Sequence, residues 1–495
     1  MARRQRSARK GQPSSRGGFE ALRAERLAAE RGTIVREATH RAALVYPSPY
    51  SVGMSSLGFL TIYREINSHP EWSAERAFLP DHLETAPRQR APLATYESGR
   101  PVGDHRVVAF SVAYELEIAG LVQALDRAGV PPLATERDAR HPFVLCGGPL
   151  TFSNPLPLSP FVDAILLGEA DETIHTALDV LAEARDREDA AAALAREIPS
   201  AFVPRIHGER LTAMGRCADE RLPAFAPILT PHTELRNMFL VEAERGCSRG
   251  CTYCVMRRST AGGMRRVPRE RLLGLIPADA RRVGLVGAAV SDHPEIVSIV
   301  DTLADQGREV GLSSLRPDRL DDRFARALRR AGYRTLTTAA DGPSQRLRDA
   351  LERHAREDQL LNAARLVRAH GFDRLKLYVM LGLPDETDED VDELARFARE
   401  LSAVAPLALA VAPFVSKRNT PLDRRPFAGI KTVEARLARL RAALAGRVDL
   451  RATSARWAWV EYRLAQGGAA EGRAVLEAVR AGGRFSDWRR ALEPW

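Results

Sequence analysis

Short apolar runs alternate with amphipathic stretches along most of the 495-residue chain. In the first third, apolar runs lie at 42–46, 107–112 and 162–167, and helix-like stretches follow them at 57–66, 116–128 and 172–184, respectively. A further apolar run lies at 143–146. Strands that alternate with helices indicate parallel β-α units. Residues 36–185 are therefore predicted to form a doubly wound, Rossmann-like α/β domain.

The same alternation returns in the second half of the chain. The predicted strands there are 239–241, 282–286, 309–312, 335–338, 375–381 and 407–413. Six β-α units predict an open, partial (β/α)6 TIM barrel over residues 236–430. In such a barrel, chemistry takes place at the carboxyl ends of the strands. Lys376 and Tyr378 share one face of their strand, and we expect that face to line the barrel interior.

Three further segments lie outside these two units. Residues 1–35 are predicted to be a basic, disordered tail. Residues 186–235 are predicted to be a linker with a hairpin at 201–206 and 210–214, followed by a proline-rich stretch. Residues 431–495 have apolar positions at helical spacing and predict a small helical C-terminal extension. Most of the chain's tryptophans lie there, and we interpret them as packing residues.

Composition and charge exclude several classes of partner and one kind of covalent framework. No apolar run approaches the roughly 20 residues of a membrane span, and no apolar segment follows the basic N-terminus as in a secretory signal. The net charge is +9, but residues 1–18 supply six of these charges, which leaves +3 for the rest. We therefore expect neither a membrane nor a nucleic acid as partner. Five cysteines in so long a chain argue against a disulfide framework and favour a reducing, cytoplasmic location.

Cys247, Cys251 and Cys254 stand at C-x3-C-x2-C spacing in a loop after a predicted strand. Three thiolates can hold three irons of a [4Fe–4S] cluster, and the fourth iron stays open to a small molecule with an amine and a carboxylate. Gly246 and Gly250 allow the tight turns of such a loop. A zinc site is the main alternative, but zinc requires a fourth ligand and no histidine is close in sequence.

This motif, with Tyr253 directly before its last cysteine, resembles the signature of the radical SAM superfamily. The resemblance implies that S-adenosylmethionine (SAM) binds the open iron. One electron, from a donor of the flavodoxin or ferredoxin type, then cleaves the sulfonium, and the 5′-deoxyadenosyl radical abstracts a hydrogen from the substrate. The six-unit barrel is similar to the radical SAM core.

The resemblance also implies SAM contacts at the strand ends. Gly287 and Ala288 stand where the superfamily usually has a G-G-E motif, so we expect backbone carbonyls to replace the missing acid. Asp341 is implied as the ribose contact, and Arg346 or Arg348 as the contact of the SAM carboxylate. The implied SAM-binding set is Tyr253, Gly287, Ala288, Ser314, Asp341 and Arg346, with Ser313 and Arg316 as weaker candidates. A solvated helix face would equally explain the arginines, and a helix N-cap would explain Asp341.

A doubly wound domain before such a core resembles the cobalamin-binding domain of B12-dependent radical SAM proteins. The stretches VLCGGP (144–149) and DAILLGEADET (163–173) are similar to that family's strand ends. The implied cobalamin-binding residues are Ser51, Gly53, Ser111, Gly147, Gly148, Gly168 and Glu169. The D-x-H-x-x-G motif, which supplies a histidine to cobalt, is absent from the sequence. A degenerate domain that binds nothing and only covers the core is the alternative, and Cys146 is interpreted as a buried apolar residue.

Taken together, the resemblances imply an oxygen-sensitive enzyme that uses a [4Fe–4S] cluster, SAM and, as a further candidate, cobalamin. With cobalamin, the implied reaction is methyl transfer from methylcobalamin to an unactivated carbon of a small-molecule substrate. Two alternatives stay open. Sulfur insertion, as in the methylthiotransferases, would need a second cluster and three more cysteines. A non-catalytic cluster and cobalamin sensor would bind these ligands without SAM turnover.

Overall fold

The computed structural model describes residues 15–81, 92–256, 263–313 and 315–493. Within these ranges, no helix is long and apolar enough to cross a membrane. The helix α1, Ser15–Ala29, occupies part of the predicted basic tail and packs Phe19 and Leu27 on the first domain. The prediction of a disordered tail over 1–35 is therefore wrong from Ser15 onward, and residues 1–14 lie outside the described part.

The first domain is built on one six-stranded sheet in the order β2-β1-β3-β4-β5-β6. Its strands are β1 His40–Pro49, β2 Trp72–Leu79, β3 Val107–Ser111, β4 Phe143–Gly147, β5 Ala164–Leu166 and β6 Ala201–Phe202. All neighbours pair in parallel except β5 with β6. The doubly wound sheet is confirmed, while β2 was missed by the sequence analysis.

The first domain also extends past the predicted boundary at 185. Its further helices are α2 Tyr50–Gly53, α3 Leu57–Ser68, α4 Glu117–Arg127, α5 Thr173–Glu183, α6 Arg187–Glu197 and α7 Pro204–His207. Because β6 pairs antiparallel with β5, the predicted linker belongs in part to this sheet. The predicted hairpin is wrong, since α7 occupies the second half of its first strand and the proline at the start of α7 favours a helical turn.

The second half of the chain forms an open barrel of two parallel sheets. The first sheet contains β7 Met238–Glu242, β10 Arg282–Val286 and β11 Glu309–Leu312, and the second contains β12 Thr335–Asp341, β13 Arg374–Leu381, β14 Leu407–Pro413 and β15 Asp449–Ala452. A short antiparallel hairpin, β8 Glu244–Gly246 with β9 Met264–Arg266, follows β7. The six predicted strands are confirmed, and β15 adds a seventh parallel strand at the edge.

Helices cover the outer face of the barrel strands. They are α8 Arg269–Leu275, α9 Ile296–Asp305, α10 Asp322–Arg330, α11 Gln345–Ala350, α12 Glu357–Ala369, α13 Asp388–Val404 and α14 Ile430–Leu444. Thr387 is the N-cap of α13, and its backbone N–H donates to Asp390 Oδ2 at 2.7 Å. Along β13, residues alternate between burial under these helices and exposure on the inner face. The helix α14 packs in the barrel core, and β15 extends the second sheet of the barrel. The barrel therefore continues past its predicted end at residue 430.

The last three helices pack on the first domain, and the first of them also contacts the barrel. These helices are α15 Ala455–Gln466, α16 Ala469–Ala481 and α17 Phe485–Leu492. Val460, Val475 and Trp488 share a buried core with α4 and with one face of the first sheet. The opposite face of that sheet packs on α3, α5 and α6. The end of the chain therefore completes the second helical layer of the first domain, which holds the two domains together.

Candidate active site

The three motif cysteines lie at the carboxyl end of the barrel. Cys247 directly follows β8, and the loop turns back so that Cys251 and Cys254 face the same space. All three thiols line one cavity of about 440 Å³, which is bounded by the ends of β10 to β14. Cys251 is buried, while Cys247 and Cys254 are half-buried. The sequence prediction that these three residues act as one group fits this arrangement.

The three thiols form a donor set that suits a [4Fe–4S] cluster. Burial raises the pKa of both Cys247 and Cys254, and the neighbouring cysteines raise it further. In the described part of the chain, no three side chains of His, Cys, Asp or Glu are placed to hold a single metal ion. A structural zinc site would require a fourth ligand beside the three thiols. In a cluster, each thiolate binds its own iron, so the thiols stand further apart.

Asp341 has the most constrained geometry in this cavity. It ends β12 with φ +64°, a left-handed conformation that is uncommon for residues other than glycine. The hydroxyl of Tyr253 donates to Asp341 Oδ2 at 2.8 Å, and Arg353 Nε lies 2.6 Å from the same oxygen. Burial, together with the Asp341 charge, raises the pKa of Tyr253 well above its usual range. The cavity therefore presents a carboxylate that Tyr253 and Arg353 hold in one orientation, as a ribose contact requires.

Arg346 and Arg348, the two arginines expected at the SAM carboxylate, are not among the residues that line the cavity. Arg346 is 54% exposed and pairs with Asp390 at 2.6 Å. Arg348 is fully buried against the loop carbonyls of Gly342 and Pro343. These contacts give each arginine a structural role. The cations that do line the cavity are Arg249, Arg316 and Arg353.

Of these three cavity arginines, the sequence predicted only Arg316, as a weaker candidate for SAM binding. Arg353 lies in an irregular loop after α11, and only the fold brings it to Asp341. Arg249 stands between the first two cysteines and pairs with Asp292 at 2.8 Å. Arg316 is buried and pairs with Asp318 at 3.0 Å. Because their carboxylate partners lie beside them, the guanidinium groups are held in place at the cavity wall.

We expect substitution of Arg353, but not of Arg346, to weaken SAM binding. Arg353→Gln removes the cation that holds Asp341, and the loss of one charged hydrogen bond corresponds to an increase of about tenfold in the Kd for SAM. Arg346→Gln, the matched control on the neighbouring helix, should change this Kd by less than about twofold. Equilibrium binding of SAM to both reconstituted variants measures the difference. Equal effects in the two variants would contradict the assignment.

The strand end at Gly287 and Ala288 lacks its own acid, but β8 supplies one. Glu244 is fully buried, and its Oε1 accepts a hydrogen bond from Ala289 N at 2.6 Å. A Cβ on Gly287 would lie 2.3 Å from the same oxygen, so only glycine fits. Burial raises the pKa of Glu244 to about 7. At this strand end, only backbone carbonyls were expected in place of the missing acid, and Glu244 was not predicted.

Some of the remaining residues predicted to bind SAM line the cavity, and others do not. Tyr253 and Ala288 line the cavity, while Gly287 is not among the lining residues. Ser313 lines the cavity and its hydroxyl donates to Gly287 O at 2.7 Å. Ser314 lies outside the described residues. Tyr378, on the inner face of β13, also lines the cavity and is 43% exposed.

The candidate cobalamin residues lie at the strand ends of the first domain, and several have partners within the protein. A Cβ on Gly53 would meet the Phe78 ring, and one on Gly168 would meet the backbone of Gly215. Glu169 is buried and its carboxylate pairs with Arg265. The seven residues Ser51, Gly53, Ser111, Gly147, Gly148, Gly168 and Glu169 line neither the cysteine cavity nor the second cavity, which lies between the two domains and α15. Their cobalamin contact stays a prediction.

Gly148 offers a direct test of why these glycines are present. It has φ +103°, and an added Cβ would lie 2.7 Å from Val112 O and 2.8 Å from Val112 N. We therefore expect Gly148→Ala to destabilise the protein by about 1–3 kcal/mol. Gly147→Ala, whose Cβ would meet only Leu166 O at 3.7 Å, should cost less than about 1 kcal/mol. Urea unfolding of both variants gives the two values, and equal stability would contradict a structural requirement for glycine at Gly148.

A second cavity of about 860 Å³ lies between the first domain, the barrel and α15. The loops after β3 and β4 contribute Tyr114, Glu115 and Leu150, and α15 contributes Trp457. This cavity shares Tyr253, Cys254, Met380 and Ala412 with the first one. A molecule in the second cavity would therefore lie directly beside a molecule at the cysteines.

One ion cluster crosses the wall of the second cavity. Lys417 Nζ lies 2.7 Å from Glu115 Oε2 and 2.6 Å from Glu461 Oε1. Glu115 is 1% exposed, and its Oε1 has no hydrogen-bond partner among the described residues. Burial raises the pKa of Glu115. An unpaired buried oxygen at a cavity wall is available to a hydrogen-bond donor on a ligand.

Two family models match this chain. Residues 58–204 match the family model described as radical SAM proteins, N-terminal, and residues 241–398 match the model of the radical SAM superfamily. An uncharacterized protein of Methanocaldococcus jannaschii is 24% identical over 396 residues, which cover 78% of this chain and 79% of that protein. An uncharacterized methyltransferase of Pyrococcus horikoshii is 22% identical over 273 residues, or 52% of this chain and 58% of that protein.

Among solved structures, the radical S-adenosylmethionine methyltransferase TsrM of Kitasatospora setae, with cobalamin and a [4Fe–4S] cluster bound, has a TM-score of 0.55. The match covers 93% of this chain and 100% of TsrM at 13% identity, so it shows a shared fold. The model that matches the first domain is not one of B12-binding domains. The predicted fold class is confirmed, as is the use of a [4Fe–4S] cluster and SAM, the cofactors of the superfamily.

Proposed function

We propose that this chain, which carries a radical SAM domain, is a cobalamin-dependent methyltransferase that acts on an unactivated carbon. The observation that carries the proposal is the pair of adjoining cavities. One is lined by the three cluster cysteines, and the other lies at the strand ends of the first domain, with Tyr253, Cys254, Met380 and Ala412 common to both. The likeness to a methyltransferase structure with both cofactors supports it.

Cys247, Cys251 and Cys254 would hold the cluster, which supplies one electron that cleaves SAM to a 5′-deoxyadenosyl radical. Asp341, fixed by Tyr253 and Arg353, would orient the ribose. The cavity walls between β12 and β14 are mostly small or apolar side chains, so they offer few groups that hold water. We expect the electron to come from a flavodoxin or ferredoxin, and the cytoplasm to be the location, since the thiols must stay reduced.

The second cavity would hold cobalamin. Its residues fit that group, since Tyr114, Leu150 and Trp457 offer an apolar wall and Glu115 Oε1 is available to accept an N–H from a corrin amide side chain. The strand ends of doubly wound sheets are the usual ligand sites of such domains. The lack of a D-x-H-x-x-G histidine means that cobalamin would bind here without that cobalt ligand.

Sulfur insertion receives no support from the remaining cysteines. Cys146 is buried in the first sheet, where burial raises the pKa of its thiol to about 12. Cys217 is also buried, and Arg245 Nη1 donates to its sulfur at 3.1 Å. The two thiols are structural residues, and neither lines the two cavities.

The proposal is tested by cobalamin retention. The protein is reconstituted without oxygen, incubated with hydroxocobalamin and desalted, and its absorbance is compared with its iron content. We expect about one cobalamin per cluster. Ala113→Trp, which places a large ring in the second cavity, should lose cobalamin and keep the cluster. Ala192→Trp, on the exposed face of α6, is the control and should retain both. Wild-type protein without cobalamin would refute cobalamin dependence.

A further inference from the structure

The inner face of β13 carries a lysine that the proposed chemistry does not use. Arg374, Lys376, Tyr378 and Met380 point to this face, while the alternate residues are buried under the outer helices. Lys376 Nζ lies 4.7 Å from the centre of the Tyr378 ring. No carboxylate of the described residues forms an ion pair with Lys376. An ammonium group in a half-enclosed space without a counter-ion favours an anion from outside the protein.

The space around this lysine is open. In the sheet, Lys376 lies beside Thr337 and Ala408, and Tyr378 lies beside Ala339 and Ala410. These neighbours are small, so they leave room on the inner face next to the long side chains. Tyr378 lines the cysteine cavity, and Lys376 is two residues deeper on the same face. The inner face of β13, here called the lumen, therefore runs from the cysteine cavity at Tyr378 to Lys376.

The charges along the lumen do not balance. At its carboxyl end, Asp341 is neutralised by Arg353. At the amino end, Asp449 is shared by Arg374 at 3.2 Å and Arg451 at 3.0 Å. Solvent screens the exposed Arg374 and Arg451, whereas Lys376 is half-buried, so Lys376 provides the excess positive charge among the described residues of this face. This excess makes the lumen attractive to a negatively charged molecule.

From these observations we propose that the lumen at Lys376 and Tyr378 binds a carboxylate of the acceptor substrate. The proposal rests on the proposed radical SAM function, because SAM then has its own carboxylate on the open iron and leaves the lumen free. The lysine provides the charge, and the Tyr378 ring provides an apolar surface for the body of the molecule. The acceptor is therefore a small organic acid whose reacting carbon lies towards the cysteines.

The proposal is tested with a matched pair of probes, 3-phenylpropionate and 3-phenylpropionamide, which differ mainly in charge. Calorimetric titration into the reconstituted protein with SAM present gives both dissociation constants. We expect the acid to bind about tenfold more tightly than the amide. In Lys376→Met, this preference should fall below about twofold, and Lys376→Arg should restore most of it. Lys431→Met, on the exposed surface of α14, is the control and should keep the preference.

Three outcomes would overturn the proposal. These are equal binding of acid and amide, a preference that survives in Lys376→Met, and no binding of the acid at millimolar concentration. Thermal unfolding of Lys376→Met shows whether the variant is folded, and Tyr378→Phe, which keeps the ring, should retain the preference for the acid. Since the titration involves neither cobalamin nor methyl transfer, its failure is distinct from a failure of cobalamin retention.

Discussion

Cys251→Ala is expected to abolish cluster assembly and the release of 5′-deoxyadenosine. Cys251 is the buried member of the three cysteines and lines the same cavity as the other two. With two thiolates, a second iron would lose its protein ligand, and the cluster would be held too weakly to assemble. Iron content, the absorbance of the reconstituted protein and 5′-deoxyadenosine formation with dithionite and SAM measure the effect.

The matched control for this variant is Cys146→Ala. Cys146 is a buried thiol of the first sheet and lies outside both cavities. This control should keep its iron and its SAM cleavage at the wild-type level. A Cys251→Ala protein that retains the cluster and releases 5′-deoxyadenosine would contradict the assignment of the three cysteines.

Arg76→Met is expected to cause the largest loss of stability, about 3–5 kcal/mol in the free energy of unfolding. Arg76 lies in β2 and is fully buried. Its Nη2 lies 2.7 Å from Glu30 Oε2, and its Nε lies 2.6 Å from Glu97 Oε1. Removal of the guanidinium would leave two carboxylates buried without a cation, which is far more costly than the loss of a surface ion pair.

Urea unfolding of the protein without cluster measures this loss. Arg140→Met is the control, since Arg140 is 85% exposed and its pair with Asp138 is screened by solvent, so this variant should unfold like the wild type. Because Glu30 directly follows α1, we also expect early proteolysis near α1 in Arg76→Met. A loss below about 1 kcal/mol in Arg76→Met would show that the buried network rearranges without cost.

The buried charges of β2, which include Arg76, explain why the sequence pattern did not predict this strand. Every residue of β2 is buried, including Glu75 and Arg76, so its pattern does not read as an apolar strand. Its charges are satisfied by distant partners, Glu30 and Glu97 for Arg76, and Thr95 Oγ1, which donates to Glu75 at 2.6 Å. The strands that the sequence did predict are apolar runs whose burial needs no such partners.

In the candidate site, too, the residues that the sequence predicted belong to local motifs, and the residues that it missed depend on distant contacts. The cysteine spacing is local, so the sequence predicted Cys247, Cys251 and Cys254 and, through its resemblance, Asp341. Arg353 reaches Asp341 only through the fold, and Glu244 supplies a carboxyl to a strand end 43 residues later in the chain. Likewise, the packing of α15 to α17 on the first domain joins the two ends of the chain, and no local pattern predicts such contacts.

The proposed cobalamin-dependent methyl transfer requires a methyl donor, and we expect SAM to be this donor as well as the radical source. The most direct test is to quantify 5′-deoxyadenosine and S-adenosylhomocysteine after incubation of the reduced, reconstituted protein with SAM, with and without cobalamin. We predict 5′-deoxyadenosine in both samples and about one S-adenosylhomocysteine per cobalamin only in the loaded protein. Formation of 5′-deoxyadenosine without S-adenosylhomocysteine in the loaded protein would contradict methyl transfer.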